Sequence, residues 1–191
     1  NTLLSLSKPY IDNGTDLIIW PESALQIDIL RSNSIYMNKI QSILTDSTTI
    51  LSGMPHIEYI NNKKNIYNSI ISINKNRIGE IYNKIQLVPM AEYVPWSNVV
   101  PIMADLNLGQ SNFSQGDKIV LYNKNEITYG GVICFESTFP WIFNNFVQKG
   151  AEFMVVVTND GWYETAPEPQ QHAKQSIYRA IESRRTILRC A

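Results

Sequence analysis

The sequence has few of the residues that hold metal ions or disulfide frameworks. Among 191 residues there are only two cysteines and two histidines, and the histidines stand far apart, at positions 56 and 172. Sets this small and scattered make neither a disulfide scaffold nor a typical zinc site. We therefore expect no metal centre, and no sequence pattern calls for another cofactor.

Charge of one sign and long apolar runs are also missing. The 16 Lys and Arg balance the 17 Asp and Glu, for a net charge of -1. The protein therefore has no overall positive electrostatic potential that would attract a phosphate backbone, and nucleic acid is not an expected partner. The longest apolar runs resemble residues 153–157, far short of the roughly 20 residues of a transmembrane helix. With 44% apolar residues, the chain can still bury one ordinary core.

Short apolar runs alternate with segments of helical periodicity along the whole chain. The predicted strands cover residues 16–20, 48–53, 66–73, 77–83, 118–122, 126–134, 152–158 and 186–190, and the predicted helices cover 33–44, 139–149 and 170–184. Two pairs of neighbouring strands are joined by Asn- and Lys-containing turns and are predicted hairpins. Strands separated by helices and interleaved with hairpins predict an α/β domain with a mixed sheet covered by helices.

Some local features carry more specific expectations. On the last helix, an apolar face is predicted from Ala173, Ile177, Ala180, Ile181 and Arg184. The Asn- and Lys-rich residues 61–65 are interpreted as a solvated turn. The stretch 88–116 lacks a clear element, and loops of that length are commonly functional.

The common catalytic motifs are absent, including the Gly-x-Ser-x-Gly elbow, the P-loop and His-Glu-x-x-His. Instead, Glu22, Lys84 and Cys134 each follow a predicted apolar strand. A carboxylate, an ammonium and a thiol can perform acyl transfer, as general base, oxyanion partner and nucleophile. The alternative is that the cysteine is a buried structural residue and the charges are solvated at strand ends.

The residues around these positions resemble a known superfamily. The segments Trp20–Ser23, Tyr82–Lys84 and Ile133–Glu136 are similar to the Glu, Lys and Cys motifs of the nitrilase, or carbon-nitrogen hydrolase, superfamily. Residues 84–95 (KIQLVPMAEYVP) and 158–163 (TNDGWY) more closely resemble the apolipoprotein N-acyltransferases, and the likeness runs from about residue 16 to the last. Two departures are Met90-Ala91 in place of the usual Phe-Gly, and Phe135 in place of the commoner Tyr.

The resemblance implies a fold, an activity and a location. The fold is a nitrilase-like layered α-β-β-α sandwich with mixed sheets, formed by residues 1–191 as one truncated catalytic domain that is incomplete at both ends. Family members sit in the bacterial inner membrane, with this domain on the periplasmic side. They transfer an acyl chain from a phospholipid, through a cysteine thioester, to the α-amine of an apolipoprotein's N-terminal diacylglyceryl-cysteine. Membrane segments would lie outside this chain.

The resemblance also assigns roles to residues. It implies Cys134 as nucleophile, Glu22 as base and Lys84 as oxyanion partner. By contrast, Cys190 is expected to be a core strand residue, and His172 a hydrogen-bonded structural histidine.

Further residues are expected around this catalytic set. Glu92 would orient Lys84 or hold the substrate amine, Glu136 would set the local field, and the backbone N–H of Phe135 would join the oxyanion hole. Trp96 and Trp162 stand in loops near the strand ends where acyl chains would enter. We interpret the segment from Trp96 to Met103 as a lid over lipid.

Two alternatives use the same residues differently. A soluble amidase or nitrilase would employ water as the second nucleophile, and a degenerate nitrilase-like module would serve protein contacts.

The chain begins without methionine and ends within an apolar run, so we interpret it as an excerpt of a longer protein. We expect the excerpt alone to be inactive, because missing elements leave sheet edges unpaired.

Overall fold

The computed structural model describes residues 2–32, 34–94, 112–162 and 167–191, with no side-chain detail for residues 32, 34 and 162. The helices are α1 (Thr2–Asp12), α2 (Ile29–Ser32), α3 (Ser34–Ile43), α4 (Pro140–Gln148) and α5 (Glu168–Ser183). The strands are β1 (Leu17–Ile19), β2 (Thr49–Ile60), β3 (Lys63–Asn74), β4 (Ile78–Asn83), β5 (Leu121–Lys124), β6 (Ile127–Ile133), β7 (Phe153–Val157) and β8 (Thr186–Cys190). Short 3-10 helices follow β6 and β7, at Cys134–Thr138 and Asp160–Trp162.

The strands form two mixed sheets of four strands each. In the first, the order is β1-β2-β3-β4, with β1 parallel to β2 and the remaining pairs antiparallel. In the second, the order is β5-β6-β7-β8, where the β5–β6 hairpin is followed by two parallel pairs. Both predicted hairpins and the mixed character of the sheets are confirmed.

Alternating side chains on the strands divide the interior into layers. In β2, Leu51 packs into a core shared with the second sheet, while its neighbour Ile50 packs against α1 and α3. Two neighbouring glycines of β6 show that the second sheet also contacts a different layer on each face. A Cβ on Gly131 would lie 3.0 Å from Ile70 of the first sheet, whereas a Cβ on Gly130 would lie 2.4 Å from Phe146 of α4. The order of layers is therefore helix, sheet, sheet, helix, which confirms the expected α-β-β-α sandwich.

Two predicted turns are misplaced. The turn expected at residues 61–65 consists of Asn61 and Asn62 alone, both with positive φ, and β3 already begins at Lys63. The second hairpin turns at Asn125 and Glu126, which also have positive φ. These are two-residue hairpin turns. The strand ends beside them are exposed, including apolar residues such as Ile60 and Ile127, so burial gives these ends no regular apolar pattern. The sequence pattern therefore makes β2 and β3 too short and places the second turn too early.

The predicted apolar face of α5 is wrong. Ile177 and Ile181 are 58% and 70% exposed. The residues of α5 that are buried instead are His172, Ser176, Arg179 and Ser183. The reason is that α5 packs against the polar turn that follows β6, where Arg179 donates a hydrogen bond to the Thr138 carbonyl over 2.9 Å. The buried face of the helix is selected by hydrogen bonds to backbone carbonyls of that turn.

Candidate active site

The three strand-exit residues follow strands of both sheets. Glu22 follows β1, Lys84 directly follows β4 and Cys134 directly follows β6. Glu22 and Lys84 are buried and Cys134 is half-buried. Their charges interact, since both Glu22 and Cys134 influence the pKa of Lys84. The structure therefore brings together the residues that the sequence singled out.

A carboxylate pair is bridged by an amide that the sequence analysis did not identify. Asn68 Nδ2 donates to Glu22 Oε1 over 2.8 Å and to Glu92 Oε1 over 2.9 Å. Lys84 Nζ donates to the same Glu92 oxygen over 2.9 Å. The second oxygen of Glu22 accepts a hydrogen bond from the backbone N–H of Asn159 over 3.0 Å. Glu22 is thus held on both oxygens by neutral donors.

Lys84 is an ammonium group inside the protein. Its side chain is 1% exposed, and burial by itself lowers the pKa of Lys84. The negative charges of Glu92 and Glu22, with further contributions from Glu136 and from Cys134 when it is ionised, outweigh burial, so the net shift raises the pKa. A fixed positive charge therefore stands beside the cysteine at neutral pH.

Cys134 lies at a sharp turn between β6 and the following 3-10 helix. Its φ of 49° is in the left-handed region, which is uncommon for a residue other than glycine. Burial and the charge of Glu22 raise the pKa of the Cys134 thiol, while Lys84 and a hydrogen bond with Thr158 oppose them. Because the pKa is raised overall, the resting group at neutral pH is the thiol, and its activation requires a base.

The Glu136 side chain connects the segment after β4, which begins with Lys84, to the end of β6 next to Cys134. Its carboxylate is fully buried. One oxygen accepts hydrogen bonds from the Tyr82 hydroxyl at 2.7 Å and from the backbone N–H groups of Ile85 at 2.7 Å and Gln86 at 3.0 Å. The other accepts the Ile133 N–H over 2.8 Å. Burial raises the pKa of Glu136 against the lowering effect of Lys84 and these donors.

A second polar cluster lies against the backbone of Cys134. His172 Nδ1 is 3.2 Å from Asp160 Oδ1. Its Nε2 is 3.2 Å from both the Cys134 carbonyl oxygen and Ser137 Oγ. Arg189 of β8 donates to the second Asp160 oxygen over 2.5 Å. The expectation of a hydrogen-bonded histidine at position 172 is confirmed.

Of the other residues predicted from the sequence, some have described positions in the structure and some do not. The Phe135 ring packs edge-on against Phe139, with centroids 5.0 Å apart. Trp96 and the lid segment lie outside the described residues, and Trp162 is described only as the end of a 3-10 helix. Cys190 is a free cysteine in β8 as expected. The prediction that it belongs to the core is wrong, since it is half-buried on the edge strand of its sheet.

Sequence reasoning missed Asn68 and Asn159. The signal for Asn68 was a polar residue inside the apolar run 66–73, because a buried polar side chain needs partners. Asn159 acts through its backbone, so its side chain carried no signal.

Within the described residues, no group of three or more His, Cys, Asp or Glu is arranged to hold a metal ion. In the same part of the chain, no helix is both long and apolar enough to cross a bilayer.

Two mixed sheets stacked between helices, with buried polar residues at the strand exits, define an α/β protein of the nitrilase type. The family model for carbon-nitrogen hydrolases matches residues 1–191. The chain therefore belongs to the carbon-nitrogen hydrolase family.

Curated relatives narrow the similarity. The chain is 32% identical over 200 residues to apolipoprotein N-acyltransferase of Chlorobaculum tepidum, covering 92% of this chain and 38% of that protein. It is 33% identical over 185 residues to the enzyme of the same name from Rickettsia prowazekii, covering 93% and 36%. The chain thus spans somewhat over a third of the length of these relatives.

Solved structures support the fold. Nit3 of Saccharomyces cerevisiae, a member of branch 10 of the nitrilase superfamily, matches with a TM-score of 0.68 and 17% identity, covering 98% of this chain and 67% of that chain. Glutamine-dependent NAD+ synthetase from Acinetobacter baumannii matches with a TM-score of 0.67 and 17% identity, covering 98% and 34%. At these identities the likeness concerns the fold alone.

Proposed function

We propose that residues 1–191 form the catalytic domain of an apolipoprotein N-acyltransferase. The observation that carries the proposal is a half-buried thiol, Cys134, beside a carboxylate and an ammonium, in a chain about a third identical to enzymes of that name. The domain would act on the periplasmic side of the bacterial inner membrane, on phospholipid and apolipoprotein.

The first half-reaction acylates the cysteine. Glu22 accepts the proton of Cys134 as Sγ attacks the ester carbonyl carbon of a phospholipid. The tetrahedral intermediate carries a negative oxygen, which the Lys84 ammonium and the Phe135 N–H stabilise. The intermediate collapses to a thioester, and the leaving lysophospholipid takes the proton from Glu22. The raised pKa of Cys134 supports this order, because a resting thiol requires a base.

The second half-reaction transfers the acyl chain to nitrogen. The free α-amine of the diacylglyceryl-cysteine attacks the thioester, and its proton passes to Glu22 as the amide forms. The Cys134 thiolate leaves and recovers its proton from Glu22. In both halves the same oxyanion donors act, since both pass through a tetrahedral intermediate.

Three further residues position this set. Glu92 holds the Lys84 ammonium and keeps it charged, while Asn68 fixes both carboxylates. Glu136 ties the strand exit that carries Lys84 to the one that carries Cys134. The field of Glu136 also contributes to the charge balance at Lys84.

The lid remains part of the proposal. The segment from Trp96 to Met103 and the loop of Trp162 would contact the acyl chain or lipid. Replacing Trp96 and Met103 by polar residues in the full-length protein should weaken the use of phospholipid. Unchanged kinetics with phospholipid would contradict the lid.

Intact-mass spectrometry of the full-length protein tests the chemistry. Incubation with phospholipid should add one acyl mass to the wild-type protein and to a Cys190→Ala control, and none to Cys134→Ala. Addition of a diacylglyceryl-cysteine peptide should then remove the adduct and yield N-acylated peptide. An adduct on Cys134→Ala equal to that on the wild type contradicts the mechanism. Release of free fatty acid with no acylated peptide identifies an amidase-like hydrolase instead.

A further inference from the structure

The cluster of Asp160, His172, Ser137 and Arg189 takes no part in the proton transfers described above. It reaches the nucleophile through the backbone, since His172 Nε2 lies 3.2 Å from the Cys134 carbonyl oxygen. His172, Ser137 and the side chain of Arg189 are largely shielded from water. Polar groups in such a place hold one arrangement only if their hydrogen bonds are satisfied.

The hydrogen on Nδ1 follows from the state of Asp160. Arg189 donates to Asp160 Oδ2 over 2.5 Å, and the Thr158 hydroxyl donates to Oδ1 over 3.3 Å. Burial opposes the charge on Asp160, but the hydrogen bonds of Arg189 and His172 outweigh it and lower the pKa of the carboxyl. Asp160 is therefore an ionised acceptor, and His172 Nδ1 donates to it.

The hydrogen on Nε2 follows from its own neighbours. Both the Cys134 carbonyl oxygen and Ser137 Oγ lie 3.2 Å from this nitrogen. A carbonyl oxygen only accepts, so Nε2 satisfies it only by carrying a hydrogen. Nε2 is therefore the nitrogen that serves the Cys134 carbonyl, and Nδ1 is the nitrogen that faces the Asp160 carboxylate.

The carbonyl that His172 contacts belongs to the peptide group whose N–H is that of Phe135. In a trans peptide the C=O and N–H point in opposite directions across a fixed plane. A donor on the oxygen therefore fixes where the N–H points, and it polarises the group so that the N–H becomes a stronger donor. The φ of 49° at Cys134 gives such an anchor a role, because a left-handed non-glycine residue is strained and persists only where the surrounding structure holds it.

We infer that His172, oriented by Asp160, is a positioning residue that fixes the peptide between Cys134 and Phe135 and strengthens the Phe135 N–H as an oxyanion donor. The inference rests on the proposed function in one respect, namely that Cys134 reacts with acyl groups through a tetrahedral intermediate. It does not depend on the identity of the natural acyl donor or acceptor.

Two reactions of the same sulfur separate this role from a general structural one. In acylation by p-nitrophenyl butyrate, the thiol proton passes to Glu22, a bond forms between Sγ and the acyl carbon, and p-nitrophenolate leaves. That path passes through an oxyanion. Alkylation by iodoacetamide displaces iodide and forms no oxyanion. Both are followed at Cys134 of the full-length protein, by the p-nitrophenolate burst and by peptide mass spectrometry.

A pair of variants isolates the hydrogen bond. The amide nitrogen of glutamine falls near the position of Nε2, so His172→Gln retains a donor for the Cys134 carbonyl, whereas His172→Asn places its amide near Nδ1 and loses that donor. We expect His172→Asn to slow the burst by about 10- to 100-fold while alkylation changes less than about twofold, because oxyanion donors act only on the former. His172→Gln should recover most of the burst rate.

Ser176→Ala is the matched control. Ser176 is one turn further on the same buried face of α5, and its hydroxyl has no hydrogen-bond partner among the described residues. Its replacement should leave both reactions unchanged.

The outcomes distinguish this inference from the proposed function. A wild-type burst rate in His172→Asn, or equal loss of both reactions in both histidine variants, overturns the inference. The absence of a burst from the wild-type protein overturns it together with the proposed chemistry. A wild-type burst that depends on His172, with no lipoprotein acylation, supports the inference and overturns the proposed function.

Discussion

Lys84 and Glu92 form an ion pair inside the protein, with Nζ and Oε1 2.9 Å apart and only 1% of the Lys84 side chain exposed. A lone buried ammonium loses its proton readily, because burial disfavours the charged form. Here the surrounding negative charges, led by Glu92, outweigh burial and raise the pKa of Lys84. The carboxylate eight residues along the chain therefore maintains the charge that the proposed oxyanion hole needs.

Glu92→Gln should make acylation sensitive to alkaline pH. The variant keeps a hydrogen-bond acceptor but removes the first of the charges that raise the pKa of Lys84. Burial then dominates, the pKa falls, and the ammonium is lost at a lower pH than in the wild type. We expect the rate of thioester formation, followed by mass spectrometry from about pH 6 to about pH 10, to fall at a lower alkaline pH in the variant than in the wild type. Glu80→Gln, at an exposed position of β4, is the control, and an unmoved alkaline limb for Glu92→Gln contradicts this role.

Asn68→Asp should move the acidic limb of the same profile upward. The wild-type amide donates to both Glu22 and Glu92, whereas an aspartate would add a third carboxylate between them. Like charges crowded together favour the uptake of a proton, so the three-carboxylate cluster would lose its general base at a higher pH than the wild-type pair. Asn76→Asp, in the exposed turn before β4, should leave the profile unchanged. A uniform loss of rate at all pH values would indicate a structural defect instead.

The sequence predicted most strands and the meeting of the catalytic candidates, for a physical reason. Apolar runs mark buried strands, and polar residues at their exits are brought together where the strands end. Helix α1 was not predicted, because Thr2–Asp12 contains Pro9 and buries only Ser7 and Ile11. Propensity and apolar periodicity carry no signal for a helix of that kind.

The parts of the site that could not be predicted depend on hydrogen bonds between distant segments. Asn68 becomes a bridge only because β3 places it between Glu22 and Glu92, which are 46 and 24 residues away. The polar face of α5 is chosen by carbonyl groups near Cys134, which no periodicity within the helix encodes. A single sequence shows which side chains are polar, but it does not show which of them will be buried together.

Gly53→Ala should disturb the segment that carries Glu22. An added Cβ would lie 2.7 Å from Glu22 Cα and 2.9 Å from the Pro21 carbonyl oxygen, and both atoms belong to the backbone. Overpacking against backbone costs about 1–3 kcal/mol in the free energy of unfolding, and we expect a slower acylation of Cys134 besides. Gly79→Ala meets the side chain of Ser72 first, at 2.9 Å, so it should cost less. Equal effects of the two variants in thermal unfolding and in thioester formation would contradict this packing argument.

Glu22→Gln should lower the pKa of the Cys134 thiol and at the same time strongly slow acyl transfer. Burial is the first cause of the raised pKa of this thiol and the charge of Glu22 is the second, so removing that charge lowers the pKa and moves the pH profile of iodoacetamide alkylation to lower pH. Lys84→Met removes a charge that lowers the pKa, so its alkylation profile should move to higher pH. Acylation by phospholipid should nevertheless fall by at least about 100-fold in Glu22→Gln, because general base catalysis contributes 10²–10⁴ in rate. A variant that alkylates at lower pH and still acylates at the wild-type rate would show that Glu22 is not the base.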